Sequence, residues 1–297
     1  MNGNRKISFA SSPERVVTNG DSNIIELMFA LGLESKMAGY AGFPYYGYEV
    51  SPRYKKKLKQ IPLLSDGYIK LEKLLFTSPD FFLSGYYYGL DIPGDCTENC
   101  ITPEELARYG IASYAISESL VRVMKKPPVS MEDVYDDLRN LGIIFNVQDR
   151  ARRLILEYIE RVDAVQRRVA KNPTPLRVFI YTSGEETPGT AAGQAMPNAL
   201  VKLAGAVNIF DDIPDSWIDV SWEEVVSRNP DCILILEFGK FRGEKHKKFL
   251  LEHPALKGVK AILNKNIIVM RVEDTYTGPR AVDGLEKMAK AFYPKLF

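Results

Sequence analysis

Sixteen tyrosines, set against two tryptophans and two histidines, dominate the chemistry open to this 297-residue chain. They are bunched. Phe43, Tyr45 and Tyr46 fall in the glycine-rich stretch 39–48, and Tyr86, Tyr87 and Tyr88 sit between Gly85 and Gly89. Tyrosine offers flat apolar area with a polar tip, which serves a ligand pocket or a core equally well. A second set, Lys240, Arg242 and Arg280 together with Trp217, is mainly basic. Arginine pairs bidentately with oxygen donors. An aromatic wall facing a basic wall suits an anionic, partly aromatic ligand.

Groups for catalysis are sparse. The stretch 184–193 is glycine-rich but lacks the Gly-Lys-Ser/Thr of a phosphate-binding loop. No Gly-x-Ser-x-Gly elbow occurs. His246 and His253 lie in a polar helical region and are too few for an imidazole-based metal or acid–base site. Asp136-Asp137 and Asp211-Asp212 read as surface pairs. No catalytic residue, metal ligand or cofactor is assigned, and the chain reads as a binder, not an enzyme. Cys96 and Cys100 are spaced for a short disulfide loop or for free thiols, since a structural zinc would need about four ligands. Cys232 reads as a buried core thiol.

The elements that position these groups follow from periodicity. Short apolar runs at 15–19, 36–40, 81–84 and 111–116 read as strands, as do 176–181, 232–237 and 267–271. Helical stretches alternate with them, which predicts two α/β lobes with mostly parallel sheets. In such sheets ligands bind outside the carboxyl ends of the strands, so the loops after the strands are the informative ones. The tyrosine and arginine clusters both fall there.

Between the two halves, Val147, Ala151, Leu154, Tyr158, Val162, Val165 and Val169 recur at helical spacing. The spacing predicts one helix over 147–171, roughly 37 Å long. Asn146 and Asp149 are placed to cap its start, and Asn172-Pro173 to end it. The expected organisation is an N-terminal lobe over 1–145, a connecting helix over 146–172 and a C-terminal lobe over 173–297. A repeat supports it. Glu72-Lys-Leu-Leu-Phe-Thr-Ser-Pro-Asp80 matches Glu223-Glu-Val-Val-Ser-Arg-Asn-Pro-Asp231 at one offset of 151.

Net charge is +1, which gives no reason to expect a nucleic-acid partner. No apolar run is long enough to span a membrane, and the polar start shows neither a signal peptide nor a lipobox cysteine.

Six motifs in order around the central helix carry a family resemblance over nearly the whole chain. They are Pro13-Glu-Arg-Val-Val17 with Glu26-Leu-Met-Phe-Ala-Leu-Gly32, Leu71-Glu72 through Pro79-Asp80, and Asp137-Leu-Arg-Asn-Leu-Gly142. In the second half come Leu203-Ala-Gly-Ala-Val-Asn208, Val220-Ser-Trp-Glu-Glu-Val-Val226 with Asn229-Pro-Asp231, and His253-Pro-Ala-Leu256 with the ending from Asp283 to Pro294. The chain resembles the substrate-binding proteins of ABC importers for iron–siderophores, haem and cobalamin, whose two lobes are joined by one rigid helix.

That resemblance implies a monomer outside the cytoplasm, periplasmic or lipid-anchored. It would capture a small-molecule metal chelate in an interlobe cleft and hand it to an ABC permease. It implies that Glu72 and Glu223 dock into permease arginines, where an unaided reading sees first-turn acids favoured by the helix dipole. Within the family, the tyrosine loops and Arg280 favour a ferric siderophore. Haem is the alternative, since a tyrosine could ligate its iron, and cobalamin follows. The expected ligand contacts are Tyr45, Tyr46, Tyr86, Tyr87, Tyr88, Trp217 and Arg280. A rival of another class is a metal-dependent enzyme of similar two-lobe shape, which would need cleft-facing His or Cys ligands.

Overall fold

The computed structural model describes residues 2, 5–9, 11–85, 101–122, 124–171, 174–239 and 242–297. By its contacts the chain divides into two units. Unit 1 holds Met1–Pro127, Met131–Leu156 and Thr277–Pro279, and unit 2 holds Pro128–Ser130, Glu157–Tyr276 and Arg280–Phe297. The Cys96–Cys100 pair, Tyr86, Tyr87, Tyr88 and Lys240 lie outside the described residues.

In chain order unit 1 runs β1 (Val16–Gly20), α1 (Ser22–Ala30), β2 (Met37–Gly42), α2 (Lys55–Leu58), β3 (Leu63–Ser65), α3 (Leu71–Phe76) and β4 (Phe81–Ser84). It continues with α4 (Pro103–Arg108), β5 (Ala112–Ala115), α5 (Met131–Ile144) and the start of α6 (Gln148–Val169). The five strands form one parallel sheet in the order β3-β2-β1-β4-β5. Every residue of β1 and β4 is buried. That is the pattern of a parallel sheet covered on both faces, and it explains why these strands read as runs without alternation.

Unit 2 runs β6 (Arg177–Tyr181), β7 (Gly189–Ala191), α7 (Met196–Leu203), β8 (Val207–Asn208), β9 (Trp217–Asp219), α8 (Trp222–Arg228) and β10 (Cys232–Glu237). Then come α9 (Gly243–Glu252), α10 (Lys260–Leu263), β11 (Ile267–Arg271) and α11 (Ala281–Phe292). Its main sheet is parallel with order β11-β10-β6-β8, and β7 pairs antiparallel with β9. The core gathers Phe179, Tyr181, Phe210, Trp222 and Ile235. Cys232 is buried in β10 as a free thiol, and burial pushes its pKa up to about 12.

The stripe predicted for α6 is its buried face: Ala151, Tyr158, Val162, Val165 and Val169 are all buried. Arg152, Arg153, Arg167 and Arg168 are exposed. The unit boundary falls inside this helix, after Leu156. Two arginines depart from a plain solvent face. Arg150 donates to the carbonyls of Leu31 and Gly32, satisfying the C-terminal end of α1. Arg161 donates to both oxygens of Glu286 and to Asp283.

Asn146 does something other than cap α6. Its φ is +55°, its N–H bonds to the Ile143 carbonyl, and the Val147 N–H bonds to the Gly142 carbonyl. This is the left-handed closure that ends α5. Asparagine tolerates that conformation because its short polar side chain suits it.

Candidate functional site

The strand order of each main sheet reverses once, and those reversals locate the open crevices at the carboxyl ends of the strands. In unit 1 the reversal lies between β1 and β4, where Gly20-Asp21 and Ser84-Gly85 emerge. In unit 2 it lies between β6 and β10, where Thr182 and Phe238 emerge.

At the unit 1 edge the backbone passes closely over itself. Gly42 has φ of +110°, and a Cβ there would sit 2.6 Å from the Gly20 carbonyl oxygen and 2.7 Å from the Gly20 nitrogen. Only glycine permits that approach. It turns the chain from β2 directly into the single-turn helix Phe43–Tyr46. Phe43 is buried and stacks on Tyr40 at 5.3 Å, which leaves Tyr45 as the exposed member at 72%. Burial, with Asp66 nearby, raises the Tyr40 pKa above its ordinary value. Tyr46 continues the same turn.

The floor behind this edge is polar. Asn19 accepts from the Ile69 N–H at 3.0 Å, and Asn23 Nδ2 donates to the Thr277 carbonyl at 2.8 Å. Thr277 Oγ1 donates to the buried Glu118. The hydroxyls of Ser22 and Ser84 and Oδ1 of Asn23 are buried without a hydrogen-bond partner among the described residues. All three lie at the crevice between β1 and β4. Leaving such groups unmatched costs about 1–3 kcal/mol each, an expense found at functional sites.

Asp137 holds the loop that follows β5. It is fully buried and accepts from Tyr114 Oη at 2.8 Å, the Ser117 N–H at 2.9 Å and Ser117 Oγ at 2.7 Å. Desolvation outweighs those bonds and lifts its pKa to about 7. Asp137 is therefore no surface acid, contrary to the expectation from its neighbour Asp136. Ser117 precedes Glu118, so this buried carboxyl anchors the same loop that meets Thr277.

The unit 2 edge is more aromatic than the sequence suggested. Trp217 pairs with Ala191 in the antiparallel β7–β9 pair, and its ring meets Phe238 edge-on at 6.1 Å. Phe238 is the first residue after β10, and that position was the available signal for it. Arg280 is buried, and its Nε and Nη2 both donate to Asp274, whose other oxygen accepts from Lys287. At least two Arg280 nitrogens are thus engaged and its charge is partly neutralised. Arg242 is exposed just before α9. Glu237 closes the β10 edge by accepting from the Gly243 N–H at 2.7 Å.

The two histidines pack inside an aromatic cluster of unit 2. The His246 ring lies 5.4 Å from Tyr181, and the His253 ring 4.6 Å from Trp222. Burial lowers the His246 pKa, with Lys245 and Arg242 adding to the shift. Burial, with Glu185 nearby, pushes the Tyr181 pKa up to about 12. Among the described residues no group of three or more His, Cys, Asp or Glu could hold a metal ion.

The repeat proves to be structural as well as sequential. Glu72 lies in the first turn of α3 and Glu223 in the first turn of α8. Both are exposed, and among the described residues neither makes an ion pair. Neighbouring Glu224 differs, being engaged in a capping box with Ser221. Each helix ends on a left-handed residue before Pro-Asp, Ser78 with φ of +48° and Asn229 with φ of +44°. Asp80 then accepts from the Arg15 N–H at 2.9 Å, and Asp231 from the Arg177 N–H at 3.1 Å. The same arginines reach back to the helix ends, Arg15 to Thr77 and Ser78 and Arg177 to Arg228.

A family model described as periplasmic binding protein matches residues 17–273. The chain belongs to the periplasmic binding protein family. This binding protein is 22% identical over 297 residues to the uncharacterized ABC transporter substrate-binding lipoprotein YvrC of Bacillus subtilis, covering 99% of the chain and 84% of that protein. A solved periplasmic binding protein from Veillonella parvula matches with a TM-score of 0.84 at 24% identity, over 96% of this chain and 93% of that one. The ABC-type Fe3+-hydroxamate transport system structure from Saccharomonospora viridis matches with a TM-score of 0.79 at 24% identity, over 98% and 97%. Other matched proteins are described as haem-binding or vitamin B12-binding. The binding protein thus has the α/β fold of the two-lobed class III periplasmic binding proteins, with parallel sheets. The Bacillus subtilis and Saccharomonospora viridis proteins are described in terms of ABC transport. Among the described residues no helix is long and apolar enough to cross a membrane.

Proposed function

We propose that this binding protein captures an anionic iron chelate, a ferric siderophore, outside the cytoplasm and delivers it to an ABC permease. The observation that carries the reading is the carboxyl edge of each sheet. Tyr45 is held out on a turn that only glycine at 42 allows, and Trp217 meets Phe238 at the corresponding edge of unit 2. Aromatic faces of this kind pack on the apolar parts of a chelate. Arg280 supplies positive charge, tempered by Asp274. A similar structure described as an ABC-type Fe3+-hydroxamate transport system supports the class of ligand.

Glu72 and Glu223 are the proposed docking carboxylates. Their exposure and the matching surroundings of α3 and α8 support that role. Glu72→Ala combined with Glu223→Ala is expected to reduce transport into proteoliposomes carrying the cognate permease by more than tenfold. A lost charge pair at an interface typically costs about 2–5 kcal/mol. Ligand affinity should be unchanged. Full transport by the double variant, or loss of ligand binding, would overturn the assignment.

Haem is a second reading favoured by one observation, the exposed Tyr45 phenol, which is a competent axial ligand for ferric iron. That reading requires a tyrosinate-type haem spectrum that disappears in Tyr45→Phe.

A further inference from the structure

The helices α3 and α8 agree in register and differ in one exposed residue. Leu74 and Val225 are both fully buried, and Glu72 and Glu223 stand exposed two residues before them. At the offset of 151, Phe76 at the end of α3 corresponds to Ser227 of α8. Both positions are exposed. Phe76 is so at 92%, the most open of the large hydrophobic side chains among the described residues. One exposed hydrophobic residue is ordinary at a protein surface. Its neighbour gives this one a use.

Phe76 follows Glu72 by four positions. Residues four apart share a helix face, with Cβ atoms roughly 6 Å apart, whereas Lys73, one position on, does not face Glu72. Helical side chains lean toward the N-terminus, so a ring at 76 covers the turn that carries residue 72. α3 therefore presents an aromatic face beside a carboxylate. The chain also contains such a pair with its partner in place. In unit 2 the guanidinium carbon of Arg228 lies 4.5 Å from the centroid of the Phe210 ring, and the same arginine bonds to Asp212 at 2.6 Å. A guanidinium can do both at once, because its plane stacks on a ring while its edge carries a rigid fork of N–H donors. An ammonium is a point charge without that plane.

We propose that Glu72 and Phe76 together recognise one arginine of the permease, which stacks on the ring while it pairs with the carboxylate. α8 offers Glu223 with a serine where the ring would be, so the two docking surfaces are unequal and α3 is the stronger. This inference rests on the docking role of Glu72 and Glu223, and adds the residue that tells the two surfaces apart. A ring exposed on the free protein and covered in the complex is the usual form of an interface anchor.

The test is binding of the full chain to the cognate ABC permease in lipid nanodiscs, read by surface plasmon resonance with empty nanodiscs alongside. Phe76→Ser, which copies α8, should weaken binding at least tenfold with an unchanged melting temperature. Phe76→Leu keeps apolar area without a π face and should weaken it at least threefold, while Phe76→Trp should bind at least as tightly as the wild-type chain. Glu72→Ala combined with Phe76→Ser should lose less than the product of the two single losses, because both act on one guanidinium. Full binding by Phe76→Ser or Phe76→Leu, or losses that simply multiply, would overturn the shared arginine. The docking role of the glutamates would stand in that case, provided that Glu72→Ala with Glu223→Ala still abolishes binding. Full binding by that glutamate pair would remove the docking reading and this inference with it. Retention on empty nanodiscs that Phe76→Ser abolishes would make Phe76 a lipid contact and overturn the proposal.

Discussion

Removing the buried carboxyl at position 137 should flatten a specific part of the pH–stability curve. Asp137 is fully buried, and its pKa is raised from 3.8 to about 7, chiefly by desolvation and with Asp133 adding to the shift. Hydrogen bonds from Ser117 and Tyr114 oppose that shift without cancelling it. The folded chain therefore holds this proton more tightly than the unfolded chain. Its contribution is complete below about pH 3.8, declines as pH rises, and is lost once pH passes about 7. Each unit of difference corresponds to about 1.4 kcal/mol, so the full window amounts to about 4 kcal/mol. Between pH 5 and pH 8 roughly two units of that window remain, or about 3 kcal/mol. Asp137→Asn keeps a carbonyl acceptor for Ser117 and removes the titration. Urea unfolding of both proteins at pH 5, 6, 7 and 8 is the assay. The wild-type chain should lose about 3 kcal/mol relative to the variant as pH rises. Parallel curves would refute the assignment of that proton to Asp137.

Two further substitutions test how the elements are held. Gly42→Ala places a Cβ against the Gly20 backbone at a φ of +110°, so it should destabilise unit 1 by about 2–5 kcal/mol. Calorimetry that finds less than half a kcal/mol would show that the β2 exit can relax. Arg161→Gln removes a half-buried guanidinium from Glu286 and Asp283. Partial exposure of all three groups limits the cost to about 1–2 kcal/mol. That loss should shrink in 1 M salt, and a salt-independent loss would point to packing instead.

The fold was legible where local pattern decides structure. The apolar stripe of α6, the fully buried runs of β1 and β4, and the repeated Pro-Asp after α3 and α8 each carry their own signal. Asn146 misleads because asparagine suits both a helix start and a left-handed helix end, and only the tertiary path of the chain chooses. β7 (Gly-Thr-Ala) and β9 (Trp-Ile-Asp) carry no readable pattern because three residues are too few for an alternation, and their pairing spans the intervening α7 and β8. The placement of Thr277–Pro279 with unit 1 depends on Asn23 and Glu118, more than 150 residues away.

The site was half legible for the same reason. Position after a strand marked the Tyr45 turn and would have marked Phe238. What a side chain is already bonded to is a long-range property. Arg280 looked available until Asp274 and Lys287 were placed beside it, and Asp137 looked like surface until Tyr114 and Ser117 enclosed it. His246 and His253 were read as polar because their neighbours along the chain are, whereas their spatial neighbours are Tyr181 and Trp222.

The central claim, that the carboxyl edges take a ferric siderophore, is tested most directly by intrinsic fluorescence. On the proposed reading a chelate bound at these edges quenches Trp217, whose ring meets Phe238, and the exposed Tyr45. Separate titrations with ferric hydroxamate, ferric catecholate, haemin and cyanocobalamin should show saturable quenching and a thermal shift with a ferric siderophore, weakened at least tenfold by Trp217→Ala. No saturable response to any of the four, or a response to cyanocobalamin alone, would contradict it.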